Sequence, residues 1–117
     1  MNIEELRDYC LSKPYVTECL PFDDVTLVFK VHNKMFALTS LDKELSVNLK
    51  CLPERAIELR EEYSCVIPGF HMNKKHWNTV YINGVVSDTK IKEWINDSYN
   101  LVIATLPKKI RQIHETK

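Results

Sequence analysis

Three strand-like runs crowd into residues 25–50 with very little chain between them, and this limits the folds open to the protein more than any other feature. The runs are 25–31, 34–39 and 45–50. Only His32 and Asn33 separate the first two, and residues 40–44 separate the second from the third. A parallel pair needs a crossover of a dozen or more residues, so these strands must pair antiparallel. In the third run Leu45, Val47 and Leu49 alternate with Ser46, Asn48 and Lys50, the period of a strand with one buried and one wet face. The His32-Asn33 pair suits a two-residue hairpin turn because Asn tolerates positive φ, although the usual glycine is missing.

Helices flank this block. Asn2 followed by Glu5 reads as a capping box, and Ile3, Leu6 and Cys10 recur at helical spacing, so a first helix runs to about Ser12 before Pro14 ends it. Pro53 suits the first position of a second helix, and residues 54–63 place Ala56, Ile57, Arg60 and Tyr63 for one face. Residues 68–76 read as irregular, and 77–82 as a strand closed by the Asn83-Gly84 turn. Ser87 or Asp88 caps a last long helix. Its Ile91, Trp94, Ile95, Ser98, Leu101 and Val102 form one stripe, until Pro107 interrupts it and a basic tail follows from Lys108. The order implies an α+β class, an antiparallel sheet with helices packed on one face, in one domain over residues 1–117.

At 117 residues, 44% hydrophobic and 27% charged, such a domain can bury a core without metals or disulfides. No apolar run approaches the ~18 residues needed to cross a bilayer, and the first residues lack the basic and apolar regions of a secretion signal. A cytoplasmic location is expected. Cys10, Cys19, Cys51 and Cys65 form no Cys-x-x-Cys pair, so reduced, mostly buried thiols are the expectation. The 16 basic residues balance 16 acidic ones, which excludes a protein coated in positive charge for nucleic acid. The balance is uneven along the chain: residues 1–62 hold 8 basic and 12 acidic side chains, residues 63–117 hold 8 and 4.

The most unusual segment is 68–80. Its polar groups are donors or cations, with Lys74, Lys75, His71 and His76 and no acid, which suits phosphate oxygens, and its aromatics can stack on bases. A solvated loop anchored by Phe70 and Trp77 is the commoner outcome for such a composition. His71 and His76, five apart, lie on different sides of a helix and opposite faces of a strand, and lack the carboxylate of His-Glu-x-x-His, which argues against a metal site. Glu4, Glu5, Asp8, Asp23 and Asp24 suit a hard cation, but solvated acidic faces of this density are ordinary. No Gly-rich phosphate loop, Gly-x-Ser-x-Gly elbow or Cys-nucleophile motif occurs, so no enzyme is expected.

The phrase Gly69-Phe70-His71-Met72-Asn73-Lys74-Lys75-His76-Trp77-Asn78-Thr79-Val80 follows Val28-Phe29-Lys30-Val31, Lys34-Met35-Phe36 and Asn48-Leu49-Lys50-Cys51. It precedes Ser98-Tyr99-Asn100-Leu101-Val102. In this order, over nearly the whole chain, these segments resemble the MmcQ/YjbR family of small bacterial proteins. The resemblance implies a single domain of CyaY-like (bacterial frataxin) fold, a twisted antiparallel sheet backed by helices, and DNA binding described as a double-wing arrangement. It brings no catalytic residues and no cofactor. Frataxin-like proteins bind iron through acidic ridges, a minor alternative here because likeness of fold alone is a weak warrant. The leading expectation is a monomer that binds DNA phosphates through Lys74, Lys75 and His76, with His71 and Asn73 in the same loop. Lys30, Lys34 and Lys50 help from the wet side of the strands, and Trp77 stacks or wedges. The alternative is a small-molecule or partner-binding domain that uses the same loop for an anionic ligand, without catalysis.

Overall fold

The computed structural model describes residues 1–70 and 72–115. Helix α1 (Ile3–Leu11) starts from the capping box, with the Asn2 side chain accepting from the Glu5 N–H and the Glu5 carboxylate accepting from the Asn2 N–H. Then come β1 (Val16–Cys19), β2 (Thr26–Val31), β3 (Lys34–Ser40) and β4 (Ser46–Lys50). Helix α2 (Pro53–Glu62) has its proline at the first position. After β5 (Val66–Pro68) and β6 (Trp77–Tyr81), helix α3 (Asp88–Ala104) is capped by Ser87, whose hydroxyl accepts from the Lys90 N–H. Helix α4 (Lys108–Glu115) ends the described chain.

The strands form one antiparallel sheet in the order β1-β2-β3-β4-β6-β5. His32 and Asn33 both take positive φ, 46° and 70°, the geometry of a hairpin turn whose twist matches its strands. Helices α1, α2 and α3 cover one face. Leu6 and Cys10 from α1, Leu59 from α2 and Ile91, Ile95 and Val102 from α3 pack on Phe29, Val47, Leu49 and Val80. Each such large apolar side chain contributes roughly 1.5–3 kcal/mol on leaving water. The other face, here the open face, carries, among the described residues, a small cluster of Val28, Leu38 and Trp77 with Cys19, Met35 and Met72 against it.

The unbroken apolar run Met35-Phe36-Ala37-Leu38 fits no simple alternation, and a bulge in β3 explains it. Phe29 pairs with Ala37 while Lys30 pairs with Met35, so Phe36 is an extra residue and both it and Ala37 join the helix-side core. The bulge stops the β3–β4 ladder at Ala37 and Leu49. Ser98 of α3 fills the gap: its hydroxyl donates to the Phe36 carbonyl at 2.6 Å and accepts from the Lys50 N–H at 2.9 Å.

The expected α+β architecture is present, with differences of detail. Strands β1 and β5 escape the sequence because each is short and lacks alternation. Within the basic tail, Lys108–Glu115 form α4, an eight-residue helix beyond the Pro107 break. On α2 the buried face is Ala56 and Leu59, while Ile57 is 52% exposed. On α3 the stripe runs through Tyr99, with Leu101 only partly buried. The four cysteines are free thiols, Cys10 and Cys65 buried. Among the described residues, no helix is long and apolar enough to cross a membrane.

Candidate functional site

Among the described residues, most backbone N–H groups of the loop between β5 and β6 are bonded within the loop or to β6. The Gly69 N–H donates to the Trp77 carbonyl at 2.8 Å, prolonging the ladder, and the Phe70 N–H donates to the Thr79 hydroxyl at 3.0 Å. The Asn73 carbonyl accepts from the N–H groups of His76 and Trp77, and its side chain accepts from the Lys75 N–H. The Lys74 ammonium donates to the Gly69 carbonyl at 3.1 Å. Glycine is required at 69 by close approach, since a Cβ there would lie 2.8 Å from the Trp77 Cβ and 2.9 Å from its carbonyl oxygen. Arg60 reaches over from α2, donating to the Asn78 side-chain oxygen at 2.6 Å and to the Lys74 carbonyl. Asn78, itself buried, donates to the Ala56 carbonyl. Much of the signature is thus the internal wiring of this loop.

One expected role changes accordingly. Trp77 is only 8% exposed and packs on Val28 and Leu38, so its indole holds the open-face cluster and is not available to stack or wedge. Asn73 shapes the turn through its side chain. His71 lies outside the described residues. Lys74, Lys75 and Lys34 are exposed, and His76, Lys30 and Lys50 partly so.

The register brings these cations together. Lys30 lies two residues along β2 from Val28, and Lys50 two residues along β4 from Asn48. Val28 and Asn48 both pair with Leu38, so the two lysines share the open face in one cross-strand row, which also holds Met35 and Trp77. With one strand between them their backbones stand roughly 10 Å apart. The β2–β3 turn with Lys34, the end of β4 and the start of β6 with Lys75 and His76 all lie at this end of the sheet. The acids Asp23, Asp24, Asp42 and Glu44 lie in the loops at the opposite end. Among the described residues, none of Lys30, Lys34, Lys50, Lys74 and Lys75 joins an ion pair.

A model of the YjbR family matches residues 11–101. The chain is 35% identical over 114 residues to the uncharacterised protein YjbR of Escherichia coli K12, covering 97% of each. This places it. The chain belongs to the YjbR family. It is also 37% identical over 107 residues to the uncharacterised protein YbdF of Escherichia coli O157:H7, covering 91% of this chain and 88% of YbdF. Among solved structures, Deinococcus radiodurans DR2400, assigned to domain DUF419, matches with a TM-score of 0.90 at 40% identity, covering 95% of this chain and 86% of that one. A Pseudomonas syringae protein matches at 0.76 with 28% identity, covering 86% and 98%. The YjbR assignment agrees with the resemblance carried by the residues 69–80 phrase.

Other groups were not visible in the sequence of this YjbR chain. His32, in the β2–β3 turn, meets His114 of α4 with their Nε2 atoms 2.7 Å apart, with Tyr15 beside both rings. On the helix side a cleft of about 350 Å³ runs between α2 and α3 past Cys51, Arg55, Trp94 and Asp97. Burial pushes the Cys51 thiol up, Asp97 adds to this and Arg55 opposes it. Phe22 is exposed on the open-face side, and an aromatic between Pro21 and Asp23 was the one available signal for it; Phe70, which the sequence suggested as an anchor of the loop, is 54% exposed on the same side. Among the described residues no three His, Cys, Asp or Glu side chains gather as metal ligands.

Proposed function

We propose that this YjbR-family chain is a monomeric cytoplasmic protein that binds DNA, without catalysis, through the basic end of its open sheet face. The observation that carries the reading is the alignment of Lys30 and Lys50 in one cross-strand row, with Lys34, Lys74, Lys75 and His76 at the same end and the loop acids at the other. A chain of zero net charge thereby concentrates positive potential on one edge. The β2–β3 turn and the β5–β6 loop serve as the two wings. Phosphate contact falls to the lysine side chains, because among the described residues the loop's own N–H groups are largely occupied.

The test is a titration of a labelled DNA duplex at several salt concentrations with wild-type protein and the Lys30→Ala/Lys50→Ala/Lys75→Ala variant. The variant should keep the wild-type melting temperature, bind more weakly and show a salt slope flattened by up to ~0.9 for each phosphate that is no longer neutralised. Wild-type affinity and slope in the variant would overturn the reading. Thermal stabilisation by inorganic pyrophosphate, with none by DNA, would move it to a small anionic ligand.

A further inference from the structure

The open face carries a second feature, further along the strands from the lysine row. A hollow of about 460 Å³ is floored by Ser46, Asn48, Thr79 and Tyr81 and rimmed by Phe22 and Phe70. Ser46 pairs with Tyr81 and Asn48 with Thr79, so the floor is two adjacent cross-strand rows of hydroxyl and amide groups. The Thr79 hydroxyl donates to the Asn48 side-chain oxygen, which leaves the Asn48 NH2 group as a donor without a partner among the described residues. Thr79 also accepts from the Phe70 N–H, fixing the backbone of one rim residue to the floor. On the other side Asp23, next to Phe22, accepts from the N–H groups of Val25 and Thr26 and so fixes that loop. Phe22 and Phe70 are 65% and 54% exposed as residues although they border the hollow.

Rings presented over a floor of neutral donors and acceptors suit a flat ligand with hydrogen-bonding edges. Charge disfavours a phosphate in the hollow itself: Asp23 and Glu44 at its wall outnumber Lys43, whose ammonium sits 5.1 Å from the Phe70 ring centroid. Phosphate-facing groups begin at Lys50, four residues along β4 from Ser46, or ~13 Å. We infer that the hollow takes an unpaired nucleobase, stacked against Phe22 or Phe70 and hydrogen-bonded to Asn48 and its neighbours, so that the ligand class of this protein is single-stranded nucleic acid. A base in a duplex is covered on both faces by its neighbours and reaches these rings only after a step is unstacked, at a cost of a few kcal/mol that a single strand largely avoids. The inference rests on the proposed DNA-binding function and specifies which form of nucleic acid is bound.

The experiment compares a labelled oligothymidylate with a duplex of equal length, using wild type, Phe22→Ala, Phe70→Ala and the lysine triple variant at two salt concentrations. The single strand should bind more tightly than the duplex. The change at the phenylalanine that carries the base should cost between ~5-fold and ~150-fold in affinity with an unaltered salt slope, whereas the lysine variant alters the slope. Both phenylalanines are exposed, so melting temperatures should stay close to wild type. In parallel, thymidine, which has no phosphate, should shift the amide NMR signals of Asn48, Thr79 and Tyr81. Equal binding of both forms with neutral phenylalanine variants overturns the hollow as a base site and leaves the phosphate reading standing. Thymidine shifts with no lysine effect support the hollow and overturn the lysine row. Shifts by a methyl glycoside and none by thymidine overturn the nucleobase.

Discussion

Ser98 occupies the buried stripe of α3, fully enclosed, and its hydroxyl serves two backbone atoms that the β3 bulge leaves outside the ladder. A buried carbonyl and N–H without partners each carry a desolvation cost, so the serine matters more than its size suggests. Ser98→Ala should lower unfolding stability by roughly 1–3 kcal/mol per orphaned group, read as a lower urea midpoint with an unchanged m-value. A change smaller than a few tenths of a kcal/mol would mean that the bulge closes by itself. The sequence showed Ser98 in the stripe, but nothing local distinguishes a serine tolerated on a helix from one that completes a sheet.

At the scale of elements, the boundaries of α1, β2, β3, β4, β6 and α3 were legible because capping, turn chemistry and period all act within a few residues. Strands β1 and β5 were not, since a four-residue and a three-residue strand owe their form to the neighbour they pair with. Trp77 shows the same limit at the candidate site. Its place in the signature suggested a ligand contact, and the alternation of β6 directs it onto Val28 and Leu38. Trp77→Ala should therefore cost roughly 3–5 kcal/mol and depress the melting temperature. Measured well below that melting temperature, the folded variant should retain the wild-type salt slope for DNA. A normal melting temperature combined with weakened binding would restore the stacking role.

For the molecule as a whole, burial raises several acids at once. The Cys10 thiol is pushed up to about 12 from an ordinary 9.0, and Cys51, Cys65 and Tyr99 move in the same direction, each chiefly by desolvation. In the unfolded chain these groups ionise at lower pH, so the unfolded state loses protons first. Stability is then fully present below pH ~9 and declines as the pH rises toward the folded value. Cys10 alone accounts for on the order of 4 kcal/mol across that window, at ~1.4 kcal/mol per tenfold. Denaturant titrations from pH 8 upward should show the decline, and Cys10→Ala should flatten it. A wild-type slope in the variant would show that Cys10 does not carry the effect. Below pH 9 a buried, protonated Cys10 should also resist alkylation in the folded protein.

The antiparallel class, the capped helices, the hairpin at His32-Asn33 and the helix-side core could be read from the chain alone, because each follows from periodicity and from interactions between residues close in sequence. Family membership was legible too, from the phrase over residues 69–80. The meaning of that phrase was not. Whether its donors face a ligand or one another depends on where the Thr79 hydroxyl and the Trp77 carbonyl arrive across the sheet, and on Arg60 reaching in from α2. The lysine row and the aromatic-rimmed hollow are likewise products of strand register, which sets side by side residues that lie tens of positions apart in the chain. Local sequence chooses an element and which of its faces is apolar; which distant side chains share that face is decided only when the strands pair.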